Sequence, residues 1–124
     1  MLKAYLLVAL GGAIGSASRY GISELFYHRT NQTFPWATLF VNLAGCLLIG
    51  LLIGAAQRYQ FLNHNSIKAF FLIGLCGGFT TFSTFSVETL RMFQNSQNIQ
   101  AIIYIIISIV IGLTLTLLGY NLIK

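Results

Sequence analysis

The stretch Gly74-Leu75-Cys76-Gly77-Gly78-Phe79-Thr80-Thr81-Phe82-Ser83-Thr84-Phe85-Ser86-Val87-Glu88 decides how this chain is read. It lies inside a long apolar region, yet it makes a poor spanning helix. Each glycine costs a helix about 1 kcal/mol relative to alanine, so Gly77-Gly78 weakens it. Hydroxyl residues and phenylalanines then crowd positions 79–86. In a bilayer, backbone groups freed from a helix find no water, and non-helical chain survives only when buried in protein or lining a wet cavity. A break rich in hydroxyls and rings therefore points to an ion or solute site. The same residues also suit a glycine packing face whose hydroxyls bond back to their own helix. The stretch by itself leaves both readings open.

Composition fixes the solvent. Of 124 residues, 56% are apolar and 7% charged, and the mean hydropathy is +0.80. A soluble domain carries about 25% charged residues. This chain could not cover its own surface with polar groups, so it reads as an all-α integral membrane protein, one bundle over 1–124. The net charge is +5, but the basic residues are scattered and suit membrane-flanking anchors rather than a nucleic-acid grip. Cys46 and Cys76 sit in apolar runs with no His or carboxylate beside them, as small buried hydrophobes do. His28 and His64 fall in polar loops. No Ser/His/Asp set, phosphate loop or pair of mid-membrane carboxylates offers a catalytic constellation, so the chain does not read as an enzyme.

Four spanning helices are expected over about 2–27, 35–58, 66–94 and 99–123, with the third broken at 77–81. The opening Lys3 and apolar run resemble a signal peptide cleaved near Ser16-Ala17-Ser18. The apolar character resumes after Arg19, however, and removal would leave an odd number of spans, so the segment is read as retained. Pro35 suits the start of the second helix and Trp36 the interfacial belt. The loops, 28–34, 58–65 and 95–99, are short, so function must reside within the membrane. Lys3, Arg58, Lys68 and Lys124 would lie on one side, against Arg29 and Arg91 on the other. That weak bias permits insertion in either orientation, and hence an antiparallel dimer.

Gly11-xxx-Gly15, Gly50-xxx-Gly54 and Gly74-xxx-Gly78 each set two glycines on one helix face. Such faces let backbones approach closely, most simply within one bundle. Polar residues at membrane depth are costly and are candidate functional groups. Thr38 and Asn42 share a face, as do Tyr104 and Ser108. Asn42 is a helix glue or a ligand; Tyr104 could anchor at the interface and Ser108 could bond its own helix. Phe82, Phe85 and Glu88 recur every third residue, with Ser83 and Thr84 between them. Ring edges are positive, so edges turned inward could receive an anion. Glu88 and Arg91 are spaced for an i,i+3 ion pair. Arg19 could bond helix-end carbonyls, line an anion vestibule or snorkel outward.

Three motifs then carry a resemblance: Gly11 through Tyr20, Pro35 through Asn42, and Gly74 through Phe85. Together they resemble the CrcB/Fluc family of bacterial fluoride channels over nearly the whole chain. Ala37 stands where that family usually has glycine. The resemblance implies an antiparallel, dual-topology homodimer in the bacterial inner (plasma) membrane. It would pass fluoride out of the cell passively through two pores at the dimer interface and so reduce fluoride toxicity. It implies a structural sodium ion, not transported, on the carbonyls of Gly77 and Thr80. It assigns the fluoride pathway to Phe82, Phe85, Asn42, Thr38, Ser83, Thr84, Tyr104, Ser108 and Glu88, with Arg19 at a vestibule. The competing reading is a small proton-coupled dual-topology exporter of toxic compounds. That would want a mid-membrane carboxylate, and Glu24 lies only near the end of the first segment.

Overall fold

The computed structural model describes residues 1–29 and 33–124; the remainder of the expected 28–34 loop lies outside the described residues. Among the described residues the fold is all-helical. Helix α1 is Leu2–Tyr27 and α2 is Trp36–Arg58, entered directly after Pro35. A 3-10 turn, Gln60–Asn63, leads to α3, Asn65–Lys68, capped where His64 Nδ1 accepts from Ser66 N at 3.3 Å. The chain continues through a π-helical stretch, Ala69–Cys76, into the short α4, Gly77–Phe79. After two extended residues comes α5, Phe82–Gln94, and then α6, Asn98–Ile123. The turn between α5 and α6 is tight and puts Ser96 at φ 59°.

Three segments are long and apolar enough to cross a membrane: Trp36–Arg58, Asn65–Gln94 and Asn98–Ile123. Helix α1 has the length, at 26 residues, but Lys3, Arg19, Glu24 and its glycines and serines dilute its apolar character.

Two seams of glycine assemble the bundle. A Cβ on Gly11 would run into the Phe70 carbonyl and the backbone of Leu75, one on Gly15 into the Leu75 carbonyl, and one on Gly78 into the Gly12 carbonyl. Helix α1 thus lies backbone to backbone along the first half of the third span, parallel to it. The second seam joins α2 and α6, also parallel: Gly50 meets Thr116, Gly54 meets Tyr120, and Gly119 meets Leu47 and Leu51. Thr116 Oγ1 adds a hydrogen bond to the Cys46 carbonyl at 3.1 Å. All three expected glycine faces therefore serve packing within the single chain. Phe26 and Phe40 stack at 5.7 Å, placing the end of α1 beside the start of α2. The start of α1, Arg58, Lys68 and Lys124 consequently share one end of the bundle.

The break is narrower than the glycines suggested. Gly77 keeps helical angles (φ −63°, ψ −38°), and helical structure runs to Phe79. The extended residues are Thr80 (φ −82°, ψ 158°) and Thr81 (φ −151°, ψ 116°). A glycine's helix penalty of about 1 kcal/mol is too small to open the chain at Gly77-Gly78 when Gly78 permits close packing against Gly12 of α1.

Candidate functional site

The two extended residues are held by a side chain from another helix. Asn42 Oδ1 accepts from Thr81 N at 2.8 Å, and Asn42 Nδ2 donates to the Thr81 carbonyl at 3.1 Å. One amide thus replaces both helical partners of a residue that left the helix inside an apolar region. Thr81 also caps the next helix. Its hydroxyl accepts from Thr84 N at 3.3 Å and donates to Thr84 Oγ1 at 3.0 Å. Thr80 stays tied backward, with both its N–H and its hydroxyl on the Cys76 carbonyl at 3.0 and 2.9 Å.

This diversion leaves two carbonyls without their usual i+4 donors. The donor for Gly77 would be Thr81 N, which is on Asn42. The donor for Thr80 would be Thr84 N, which is on the Thr81 hydroxyl. Gly77 and Thr80 both line the same groove, and a Cβ on Gly77 would meet nothing within 4 Å. Backbone carbonyls released from helical bonding are the donor chemistry that a hard cation takes.

That groove, of about 400 Å³, is also walled by Asn42, Cys46, Phe82, Phe85 and Ser108. Phe82 projects from the protomer, 78% exposed, and its ring lies 5.6 Å from that of Phe85. Phe85 in turn packs against Tyr104 at 5.0 Å, and Tyr104 meets Phe34 edge-on at 5.5 Å. The Ser108 Oγ is buried with no hydrogen-bond partner among the described residues. It does not bond back to its own helix.

A second pocket, of about 230 Å³, lies on the other side of Thr81. Arg19 lines it together with Ser16, Tyr20, Ser23, Thr38, Thr81 and Thr84. Arg19, whose guanidinium is always charged, shares this pocket with hydroxyl residues. Thr81 is common to the linings of both hollows.

Glu88 departs from its expected partner. Its two carboxylate oxygens accept from the Thr38 hydroxyl at 2.8 Å and the Tyr104 hydroxyl at 2.9 Å. Among the described residues no ion pair joins it to Arg91. Tertiary hydroxyls outcompete the local i,i+3 spacing because both donors are held in place, Tyr104 in the core with Leu39, Met92 and Ala101, and Thr38 buried on α2. A carboxylate half-buried among apolar side chains needs donors, and these two hydroxyls supply them. Tyr104 is fully buried and is no interfacial anchor.

Of the sequence-nominated residues, Phe82, Phe85, Asn42, Ser108, Gly77 and Thr80 meet at the groove. Thr38, Thr84 and Arg19 meet at the cationic pocket. Glu88 and Tyr104 form the hydrogen-bonded set beside it. Ser83 is exposed and lines neither hollow; its Oγ lies 3.4 Å from Thr81 Oγ1. Sequence reasoning missed Thr81, which occupies the centre. The signal was there: a hydroxyl three residues ahead of Thr84, at the head of an amphipathic run, is a helix-cap position.

Residues 6–120 match the family described as CrcB-like protein, Camphor Resistance (CrcB). The chain is 43% identical over 120 residues to the fluoride-specific ion channel FluC of Azobacteroides pseudotrichonymphae genomovar. CFP2, covering 97% of this chain and 95% of that one. It is 45% identical over 120 residues to the FluC of Methylobacillus flagellatus, covering 96% and 93%. It is 43% identical over 121 residues to a FluC of Thermus thermophilus, covering 98% and 95%.

Proposed function

Because the chain belongs to the CrcB family of bacterial membrane channels, which are not enzymes, we propose that it is a fluoride-selective passive channel exporting cytoplasmic fluoride. The observation that carries this reading is the groove where the Phe82 and Phe85 rings converge with a buried, unpartnered Ser108 hydroxyl. Fluoride is small and strongly hydrated, so a selective route must offer hydrogen donors in place of water. Ser108 has a hydroxyl proton to give. Asn42 has a second Nδ2 proton, since Thr81 uses one and the amide carries two. Ring edges add positive potential without a full charge. Arg19 raises the local anion concentration at the pocket on the far side of Thr81.

Thr38, Tyr104 and Glu88 are a different case. Both hydroxyls are engaged by the carboxylate, so in this arrangement they tie α2, α5 and α6 together rather than present free donors. Fluoride would compete with Glu88 for them.

The working unit is an antiparallel, dual-topology homodimer of protomers with four membrane-crossing helices. A single protomer leaves Phe82 exposed and the space beside Gly77 empty, and a second copy related by a two-fold axis would cover both. Two pores would then run at the interface. The Gly77 and Thr80 carbonyls from each copy would give four oxygens around a structural sodium ion, which supplies fixed positive charge at the middle of the anion path. Glu24, half-exposed at the end of α1 and 3.9 Å from His28, lends no support to a proton-coupled exporter. The reading is tested in liposomes loaded with potassium fluoride. A potassium ionophore should trigger rapid fluoride release and scarcely any chloride release. Release driven only by a pH gradient and abolished by Glu24→Gln would favour the exporter instead.

A further inference from the structure

A further hollow opens on the α2–α6 pair, away from the break. It measures about 290 Å³ and is lined by Gly50, Ile53, Leu113, Thr116, Leu117 and Tyr120. Both of its hydroxyls are engaged, Thr116 with the Cys46 and Gly112 carbonyls and Tyr120 with Gln57, so the lining is apolar. The hollow exists because the Gly50 seam brings two backbones together between larger flanking side chains. Leu113 and Leu117 stand 69% and 61% exposed beside it.

Depth decides what can occupy it. At about 1.5 Å per residue, Tyr120 lies about 6 Å below Lys124 along α6, and Leu113 about 16 Å below. One leaflet of hydrocarbon is about 15 Å thick. The hollow therefore spans acyl-chain depth beneath a charged end. At that end Arg58 lies over the Tyr59 ring at 5.6 Å and gives one N–H to the Ile123 carbonyl at 3.4 Å. A guanidinium has five N–H donors, so most of its fork stays open. The Lys124 ammonium lies over the Tyr120 ring at 5.1 Å, and the Tyr120 hydroxyl donates to Gln57 at 2.7 Å. No side-chain carboxylate serves these cations: the chain has two acids, Glu24 near His28 and Glu88 on Thr38 and Tyr104, both at the opposite end.

We propose that this end of the α2–α6 pair binds an anionic phospholipid, with its phosphate on Arg58 and Lys124 and an acyl chain in the hollow below. The Tyr120 ring joins the two halves of the site, apolar on the hollow side and cation-bearing at the top. Retention of the lipid ties the C-terminal ends of α2 and α6 together. The inference is independent of which ion the protein conducts.

The test uses the full-length protein in mild detergent, with native mass spectrometry of lipid retention. Phosphatidylglycerol and phosphatidylcholine of equal chain length are the probes. Phosphatidylglycerol should be retained about 30-fold better, as two basic residues at a headgroup imply. Arg58→Gln should cut that preference at least about threefold, and Leu113→Trp, which fills the hollow, should lower phosphatidylglycerol retention with all charges kept. Lys3→Gln removes a charge at the same end on a different helix pair and should leave the preference intact. Melting temperatures in phosphatidylcholine check folding, with Leu117→Trp replacing Leu113→Trp if the latter is unstable. Equal retention of the two lipids would overturn the proposal. So would an unchanged preference in Arg58→Gln, which would reduce Arg58 to a helix-end cap. Cross-linking of Ile53→Cys to a second chain would also overturn it, because the hollow would then be covered by protein.

Discussion

Replacing Asn42 with alanine tests the account of the break at its most exposed point. The substitution removes two hydrogen bonds to Thr81, at 2.8 and 3.1 Å, and nothing else among the described residues offers both a donor and an acceptor there. Hydrogen bonds between membrane helices contribute about 0.6 kcal/mol on average and about 1.7 at most. Two of them give about 1 to 3 kcal/mol. Leaving the Thr81 N–H and carbonyl unpaired in an apolar groove moves the cost towards the upper end. An Asn42→Ala variant should therefore lose about 2 to 3 kcal/mol in reversible unfolding, and the Thr81 amide should exchange its hydrogen about 30-fold faster or more. Asn42→Asp separates the two bonds. It keeps an acceptor for Thr81 N but sets an oxygen against the Thr81 carbonyl, so it should be at least as damaging while ionised and recover on acidification, when a protonated carboxyl can donate. Thr116→Ala is the reference, since it removes one interhelical bond at 3.1 Å far from the break. Its cost should stay near about 1 kcal/mol. An Asn42→Ala cost below about 0.5 kcal/mol, with Thr81 exchange unchanged, would refute the clamp.

Other outcomes follow from the same geometry. Tyr104→Phe keeps the ring against Phe85 and Phe34 but strips one donor from Glu88, and should cost about 1.5 to 3 kcal/mol in unfolding. Gly11→Ala and Gly78→Ala each drive a methyl into backbone across the α1 seam, and should reduce folded yield sharply or cost upwards of about 2 kcal/mol. Gly77→Ala meets nothing within its own chain, so it should leave the fold intact; if two copies pair over that groove as proposed, it should weaken their assembly, read by cross-linking or size-exclusion chromatography. Substituting a large organic cation for sodium should slow fluoride release if the Gly77 and Thr80 carbonyls hold that ion; unchanged release and assembly in sodium-free buffer would remove it from the account.

The sequence displayed some of this directly and hid the rest for physical reasons. The second and fourth expected spans are long apolar runs, and the structure keeps them at Trp36–Arg58 and Asn98–Ile123. The glycine faces were legible as packing surfaces because their spacing is local, but their partners on distant helices were not. The broken third helix was visible, yet its position was not. Local propensity pointed to Gly77-Gly78, whereas the chain opens at Thr80-Thr81, because the decisive contact comes from Asn42, 39 residues distant. Glu88 repeats that lesson. Arg91 is its neighbour in sequence, but Thr38 and Tyr104 are its neighbours in space. Thr38, Asn42, Tyr104 and Ser108 stood out as polar residues at membrane depth. Only the structure separates those already satisfied from Ser108, whose hydroxyl has no partner among the described residues.

The central claim is that the groove beside Phe82 and Phe85 belongs to a fluoride-selective pathway, and fluoride efflux from liposomes tests it most directly. Protein reconstituted with potassium fluoride inside should release fluoride within seconds of adding a potassium ionophore, followed with a fluoride electrode. Ser108→Ala, which removes the unpartnered donor without disturbing a hydrogen bond, should slow that release while the protein stays folded. Chloride released as fast as fluoride by the unmodified protein would contradict the account.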